Sequence, residues 1–500
     1  MFLYVRMVYV LIVSLYTTRA VLSVLGIVDY GIYNVVGGFV GMFSFLNNSL
    51  SNGIQRFYNF HNGRGDLDKV CEIYNSALVI QFFLAIIVFL LLETIGLWYI
   101  NNVMVVPQDR LSVANWLFHF SVMSLVLVIM QIPFSAAIMA HEKMDYFAFV
   151  SIMDATIKLF LVLMLNKMYG DHLFQYGVII LSISVLTFFL YFLYCKAKFK
   201  EIHFTKTAYK HTIKELLSFT GWNVFGTFSL MLKSQGLTIL LNAFFGPVVN
   251  AARGVASQVN SALQGFSANI VSAVRPQLVQ SYAVGNHDRV KNLMFSLSKV
   301  TFILLFMLSL PIMVEINYIL KLWLGVDNIP EGTALFTNLV LINMIISSMN
   351  TPLSQVVHAT GCMKHYQIGT SIVITSILPI SLLALYLGAP PASVFIISIV
   401  VSCINQFVCL FLLKRIFYYK IKDYARLVVI PCMLPLIIGP IFPYMLTCLI
   451  PSSFWRLLLV VITSIVIISS LSLWIVLDKQ EKSIILSFTK KGNHFFHKNR

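Results

Sequence analysis

Stretches of about twenty consecutive apolar residues recur along the whole chain, and they restrict its fold more than any other feature. Each stretch is long enough to cross a bilayer as a helix. Only 11% of the 500 residues are charged, whereas about a quarter are charged in soluble domains. The sequence therefore predicts an all-α polytopic membrane protein with about fourteen transmembrane helices.

Short connections separate the predicted spans, so no soluble domain is expected between them. The longest connection is the Lys-rich segment 196–214, which divides the chain near its middle. Each predicted span begins and ends with its apolar stretch. They lie near residues 3–24, 31–56, 74–99, 112–139, 146–168, 173–195, 216–243, 249–275, 293–320, 332–357, 366–388, 393–416, 426–447 and 456–477.

The Lys and Arg residues are distributed unequally between the two faces of the membrane. With the N-terminus in the cytoplasm, cytoplasmic segments hold 26 of the 35, and the opposite face holds Arg110, Lys167, Lys321 and Arg456. An excess of basic residues marks the cytoplasmic side. Both termini are therefore predicted to be cytoplasmic. The net charge of +16 is assigned to membrane lipids with anionic headgroups, and no nucleic-acid partner is expected.

The two halves of the sequence match when one is moved by about 220 residues against the other. "LGIVDYG" falls on "FFGPVVN", "GDLDKV" on "GNHDRV", and "PFSAAIMAHEKMDY" on "PLSQVVHATGCMKHY". A duplication of six helices gives two lobes of the same orientation, an arrangement found in transporters with a site between the lobes. The predicted segments are an N-lobe (1–195), a basic cytoplasmic linker (196–215), a C-lobe (216–416), a two-helix addition (417–477) and a basic cytoplasmic tail (478–500).

Spans two and eight, which are equivalent in the duplication, carry polar residues at intervals of three and four. This spacing places the polar residues on one face of each helix. Close helix packing through small residues is one interpretation, and a shared water-filled cavity is the one that we favour. The candidate substrate-binding residues on these faces are Ser44, Asn47, Arg253, Ser257, Asn260 and Gln264.

Other ionisable residues lie at membrane depth. Lys233 has no acidic residue within one helical turn, and Arg19 could contact Asp29 or the membrane interface. With Arg253, these cations are candidates to bind an anionic group such as phosphate. Glu93 and Glu315 occupy similar places in the two repeats, and they are candidates for ion coupling or for simple interfacial placement.

Neither a metal site nor an enzyme active site is predicted. The seven cysteines lie in or beside spans, without a CxxC motif or a histidine at metal-binding spacing. The longest outer connections, 99–111 and 321–331, contain no carboxylate pair at catalytic spacing. We therefore expect no cofactor and no catalytic residue.

Several stretches resemble bacterial Wzx-type O-antigen and polysaccharide flippases of the multidrug/oligosaccharidyl-lipid/polysaccharide (MOP) superfamily. They include "LGIVDYGIYNVVGG", "SFTGWNVFG", "LLNAFFGPVVNAARGVASQVNSALQGF" and "QLVQSYAVGN", and the likeness covers about residues 3–420. The resemblance implies two lobes around a cavity in the bacterial inner membrane. It also implies alternating access that moves an undecaprenyl-pyrophosphate-linked oligosaccharide from the inner to the outer leaflet, with basic residues at the pyrophosphate.

Arg19, Lys233 and Arg253 match the basic positions of such flippases only by helix and depth. The predicted count of fourteen spans departs from the usual twelve and equals that of lipid II flippases. The resemblance further implies glycan polymerases or glycosyltransferases as possible partners. The alternative function within the same fold is a cation-coupled multidrug exporter of the MATE type, which would require a carboxylate in the cavity of the first lobe.

Overall fold

A computed structural model describes residues 2–44, 50–51, 54–55, 57–58, 61, 66–141, 143–199, 210–360, 362–478 and 481–482. All regular secondary structure in these ranges is helical. This result confirms the predicted all-α fold. Helix is the expected form for an apolar chain in a bilayer, because it satisfies every backbone polar group internally.

Seven helices with defined bounds lie in the described residues of the first half of the chain. α1 and α7 are much longer than the others, and each contains a glycine with non-helical backbone angles. A short π-helical turn, Leu92–Gly96, joins α2 to α3. The helices are α1 (Phe2–Gly41), α2 (Leu67–Leu91), α3 (Leu97–Asn102), α4 (Leu111–Ala140), α5 (Met144–Leu165), α6 (His172–Lys198) and α7 (Lys210–Ala283).

The described residues of the second half form eleven helices, several of which are pairs of short segments within one span. They are α8 (His287–Val314), α9 (Ile316–Leu324), α10 (Thr333–Ser348), α11 (Asn350–Thr360), α12 (Met363–Thr375), α13 (Ile377–Tyr386), α14 (Ala392–Ile416), α15 (Ile421–Tyr424), α16 (Ile430–Ile438), α17 (Ile441–Leu449) and α18 (Phe454–Leu471).

Gly26 in α1 and Gly246 in α7 break their helices at equivalent points of the two repeats. Their backbone angles are nearly equal, with φ of 76° and ψ of 175° at Gly26, and φ of 78° and ψ of −171° at Gly246. Glycine adopts this conformation without the penalty that a Cβ brings. Each long helix therefore consists of two limbs, and we call them the first and second limbs of α1 and α7.

Twelve helical segments of the described ranges are long and apolar enough to cross a membrane. Two of them, Val8–Gly41 and Thr227–Val271, contain the glycine breaks. Val8–Gly41 includes most of the first predicted span and the start of the second, and Thr227–Val271 includes parts of the seventh and eighth. Each of the fourteen predicted spans therefore overlaps one of the twelve segments.

The two repeats also agree at the start of their third helices. Asp66 caps α2 by accepting a hydrogen bond from the amide of Lys69 at 3.1 Å, and Asn286 caps α8 by accepting from the amide of Arg289 at 3.0 Å. Both caps lie 220 residues apart and have almost the same backbone angles. An Asp or Asn cap satisfies one of the amides that has no partner in the first turn.

The chain divides into two compact units, and each unit is built from three separate stretches of the sequence. The first unit contains residues 1–255, 323–333 and 375–394, and the second contains 256–322, 334–374 and 395–500. In the first unit a core cluster includes Tyr58, Ile73 and Phe134. In the second unit one cluster includes Leu278, Val356 and Tyr424, and another includes Phe302, Phe306 and Ile468.

The helices that contain Pro133 and Pro352 differ, although the two prolines are equivalent in the repeats. Pro133 lies inside the continuous helix α4, whereas α10 ends at Ser348 and α11 begins two residues later, just before Pro352. Proline has no N–H, so the carbonyl four residues before Pro352 has no helical partner. That carbonyl, of Ser348, accepts a hydrogen bond from the Thr301 hydroxyl at 3.4 Å.

Candidate functional site

The break at Gly246 brings together polar residues from both limbs of α7 in the first unit. Asn242 and Asn250 are buried four residues before and four residues after the glycine. The side-chain amide of Asn250 is oriented to satisfy two neighbours. Its nitrogen donates to the Thr238 carbonyl at 3.1 Å, and its oxygen accepts from the backbone N–H of Asn242 at 3.0 Å. Buried polar groups need such partners. The two limbs are therefore held together by hydrogen bonds inside the apolar span.

The guanidinium group of Arg253 is fixed by the limb that precedes the break. Nη1 donates to the Thr238 hydroxyl, and Nη2 donates to the Ser234 carbonyl at 2.6 Å. Lys233 is the neighbour of Ser234 in the chain, and its ammonium is repelled by the charge of Arg253. The sequence predicted both cations as site residues, and the structure brings them together. We call Lys233 and Arg253 the basic pair.

The basic pair has no acidic partner within the ranges that the structure describes: no Asp or Glu there forms an ion pair with Lys233 or Arg253. Both side chains are part-buried. A charge in a membrane segment is costly unless it is paired or hydrated. Two neighbouring positive charges, one of which is held by neutral groups, can therefore bind an anion favourably.

The second limb of α1 approaches α7 closely at glycine positions. A Cβ atom at Gly31 would lie 2.0 Å from the Pro247 carbonyl oxygen, and one at Gly38 would lie 2.9 Å from the Gln235 side-chain oxygen. A Cβ at Gly254 would lie 2.7 Å from the side chain of Asn34. Small residues allow such backbone approach in membranes. The glycines of spans two and eight therefore act in helix packing, which was the alternative interpretation of these spans.

Arg19 lies on α1 with its side chain exposed, whereas Thr17 and Thr18 before it are buried. Asp29, which was considered as its partner, forms an ion pair with Arg110 instead, and Arg110 also binds Asp171 at 2.5 Å. The role of Arg19 in binding an anion stays a prediction.

The second limb of α7 continues into the second unit with two different faces. Ser257, Ser261 and Gln264 are exposed, and Val259 and Leu263 on the other side are buried. This contrast is the one predicted from the spacing of polar residues, although Ser267, three residues after Gln264, is buried.

Among the remaining candidates on these faces, Asn260 is half-buried, and its side-chain oxygen accepts a hydrogen bond from Gln264 at 3.4 Å. The structure does not describe the side chains of the two candidates of span two. Asn47 lies outside the described residues, and for Ser44 only the backbone is described.

The two candidate ion-coupling carboxylates have different partners. Glu93 lies in the π-helical turn after α2, and its carboxylate is 3.0 Å from Nδ1 of His119 on α4. Glu315, at the end of α8, is buried and binds Arg456 of α18, with 2.6 Å between Oε1 and Nε. Glu315 therefore faces a permanent cation, whereas Glu93 faces a histidine. Their ion-coupling role stays a prediction.

Sequence reasoning did not identify Ser234 and Thr238, which fix Arg253. Together with Asn242 they follow a spacing of four residues on the first limb of α7. This periodic polar face was available in the sequence, next to Lys233. Its meaning depends on the fold of α7 at Gly246, because only that break places Arg253 beside Thr238.

Comparisons with known proteins are consistent with this architecture. A family model described as "Polysaccharide biosynthesis protein" matches residues 3–282. The uncharacterized membrane protein EpsK of Bacillus subtilis (strain 168) is 21% identical over 281 residues, which cover 56% of this chain. The match spans about half of that relative's length, 55%.

Several solved structures share the fold. A lipid II flippase, MurJ, in an inward closed conformation aligns with a TM-score of 0.67 and 15% identity, and covers 94% of this chain and 97% of its own. An inward-facing MATE-family multidrug transporter of the MOP superfamily has a TM-score of 0.56 and 11% identity, with coverages of 83% and 93%. The eukaryotic MATE transporter AtDTX14 has a TM-score of 0.58 and 15% identity, with coverages of 85% and 98%.

Proposed function

Because the chain belongs to the polysaccharide biosynthesis protein family and has the fold of MOP-superfamily transporters, we propose that it is a flippase for a lipid-linked oligosaccharide. The substrate would be a glycan joined to a polyprenyl lipid through pyrophosphate. The protein would move it from the inner to the outer leaflet of the bacterial inner membrane, for surface polysaccharide or O-antigen synthesis. The basic pair is the observation that carries this proposal.

The pyrophosphate would bind at the basic pair. Arg253 is oriented by Thr238 and the Ser234 carbonyl, so little side-chain freedom is lost when an anion binds. The pyrophosphate would offset the repulsion between Arg253 and Lys233. Charge-assisted hydrogen bonds to phosphate are stronger than neutral ones. Arg19 would contribute a third positive charge if α1 supplies it to the same substrate.

Transport would occur by alternating access of the lobes predicted at 1–195 and 216–416, with the termini in the cytoplasm. The polyprenyl chain would remain in lipid, and the polar faces with Ser44, Asn47, Ser257, Asn260 and Gln264 would contact the sugars. Enzymes that build or polymerise the glycan are the expected partners. No chemical step is assigned to the protein itself.

The alternative is a cation-coupled drug exporter, since MATE transporters share the fold. Such an exporter has to accept cationic molecules. The positive charge of the basic pair disfavours a cationic substrate by direct repulsion. An exporter would confer drug resistance on overexpression, and its deletion would leave the surface glycan unchanged.

The test is complementation of a deletion strain with the variants Lys233→Ala, Arg253→Ala and the pair of both. We expect the double variant to lower surface polysaccharide at least tenfold at an unchanged level of membrane-inserted protein. Lys167→Ala is the matched control, because Lys167 is exposed after the end of α5 and should complement fully. Normal surface polysaccharide with the double variant would refute the role of the basic pair.

A further inference from the structure

The break of α7 at Gly246 is joined by hydrogen bonds to a loop of the first repeat. The side-chain oxygen of Asn242 accepts from the backbone N–H of Val105 at 3.0 Å, and its amide nitrogen donates to the Val105 carbonyl at 3.4 Å. Val105 lies in the predicted outer connection 99–111. Both residues belong to the first unit, although 137 residues separate them. The outer connection is therefore attached to α7 beside its break.

This contact continues from Asn242 to the support of Arg253. Asn250 bridges the Thr238 carbonyl and the backbone N–H of Asn242, two groups that pair with each other in a regular helix. The Thr238 hydroxyl accepts a hydrogen bond from Nη1 of Arg253. Hydrogen bonds thus connect the outer connection to the arginine without interruption, and we call them the α7 network. Its members are Val105, Asn242, Asn250, Thr238 and Arg253.

The glycine break itself does not require the α7 network. In the first repeat, Gly26 breaks its helix with nearly the same backbone angles. At the offset of 220 residues, Thr18 stands at the place of the threonine of the network. Leu22 and Tyr30 stand at the places of the two asparagines, and Tyr33 stands at the place of the arginine. A structural requirement of the break would act on both copies. The two asparagines therefore point to a role in positioning the arginine.

Burial makes the members of the network depend on one another. Asn242, Asn250 and Thr238 are all buried. A buried polar group that loses its partner costs free energy, because water cannot replace the lost bond. The Thr238 hydroxyl also donates to the Ser234 carbonyl at 3.3 Å, and this carbonyl is the second acceptor of Arg253. Loss of one bond therefore disturbs both contacts of the guanidinium group.

We propose that Asn242 is a positioning residue, which couples the outer connection to Arg253. The proposal rests on the proposed flippase function and adds the control of the same site. While Val105 is bound, the network fixes Arg253, and the basic pair with Lys233 is complete. When the outer connection moves away, Asn242 loses its partner and the support of Arg253 at Thr238 is disturbed. Release of the pyrophosphate would thus be tied to opening towards the outer leaflet.

The test measures binding of inorganic pyrophosphate to the full-length protein in nanodiscs of zwitterionic lipid, by isothermal titration calorimetry. Val105→Pro removes the backbone N–H that binds Asn242, and it leaves every side chain of α7 in place. We expect the dissociation constant to rise about fivefold or more at an unchanged melting temperature, which is about the effect of one lost hydrogen bond. Val106→Pro is the matched control and should bind as wild type does, because among the described residues the Val106 N–H donates to no residue of α7.

A second background separates positioning of Arg253 from a general structural effect. Arg253→Lys keeps the positive charge, but an ammonium group does not reproduce the fork that binds Thr238 and Ser234. If the outer connection acts through Arg253, Val105→Pro should weaken pyrophosphate binding less than about twofold in this background. An undiminished effect there would overturn the proposal, because the outer connection would then act on the site by another route.

Asn242→Leu interrupts the network from within α7. Leu22 occupies the equivalent place in the first repeat and is fully buried, so folding should tolerate the change. We expect the same loss of affinity, with no further loss when Val105→Pro is added. Wild-type affinity in Asn242→Leu would overturn the coupling and leave the flippase proposal in place. If wild type itself does not bind pyrophosphate, both the basic pair as its site and the coupling are refuted.

Discussion

Removing one partner of the buried ion pair between Glu315 and Arg456 should lower the free energy of unfolding strongly. Removing both partners together should lower it only slightly. The side chains are 2% and 12% exposed, and two contacts of 2.6 and 2.7 Å join them. In Glu315→Met, Arg456 would keep its contact with the Ile450 carbonyl at 2.8 Å but no counter-charge. Breaking a buried pair in this way costs about 3–5 kcal/mol. Replacing both residues by methionine avoids the uncompensated charge, and we expect a loss below about 1 kcal/mol.

The assay is reversible unfolding in mixed micelles, with SDS as the denaturant and tryptophan fluorescence as the signal. Wild type, Glu315→Met, Arg456→Met and the double variant form a double-mutant cycle. The exposed pair of Asp288 and Lys291, with Asp288 90% exposed, is the control. Asp288→Asn should change the free energy of unfolding by less than about 1 kcal/mol.

Additive effects in this cycle would refute the reasoning, because they would mean that Glu315 and Arg456 do not depend on each other. Transport by the same double variant tests the ion-coupling hypothesis for Glu315. If the pair has a purely structural role, surface polysaccharide synthesis should persist in the double variant Glu315→Met with Arg456→Met. Loss of transport in a stable double variant would instead support ion coupling at this carboxylate.

Two further predictions concern the first unit. Gly31→Ala would place a Cβ 2.0 Å from the Pro247 carbonyl oxygen, and we expect a loss of about 1–3 kcal/mol in unfolding free energy. Gly265→Ala meets open space and should not destabilise; equal stability of both variants would contradict the close packing. Asp171→Asn keeps the cap of α6 but removes the charge, so it should cost less than Asp171→Ala, which removes both. Burial opposes ionisation of Asp171, but the helix amides and Arg110 outweigh it and lower the pKa of its carboxyl group. The charge of Asp171 therefore stabilises the folded protein fully above about pH 5, and this stabilisation is lost as the pH falls below about 4. Melting at pH 7 and pH 3.5 should show this loss in wild type but not in Asp171→Asn, and an equal loss in both would contradict it.

Span positions and the duplication could be predicted because both depend on local sequence. Apolar length determines a span, and an offset of 220 residues relates Gly26 to Gly246 and Asp66 to Asn286, whose backbone conformations agree. The sequence therefore contained the positions of the helices and of their breaks.

Contacts between distant residues could not be predicted in the same way. Glu315 and Arg456 are separated by 141 residues, and nothing in the spacing of either span relates them. Likewise, the side chain of Lys299 is 1% exposed and binds Asp478 and Glu481, which lie beyond the last predicted span. Such pairs depend on how helices pack, which apolar periodicity alone does not determine.

The contacts of α8 with the C-terminal segment assign a role to the two spans that lie outside the duplication. Arg456 holds one end of α8 through Glu315, and the cluster of Phe302, Phe306 and Ile468 joins the middle of the helix to α18. Lys299 binds the chain beyond α18 through Glu481 at 3.1 Å. Because the contacts are spread along α8, the helix cannot tilt relative to α18 without losing one of them.

In the first repeat, the equivalent carboxylate has a different kind of partner. Glu93 finds its partner, His119, on the next helix of the same repeat, whereas Glu315 requires Arg456 from the added helix α18. The addition therefore gives the carboxylate of the second repeat a permanently charged partner from outside the repeat, whereas the carboxylate of the first repeat is paired within its own repeat.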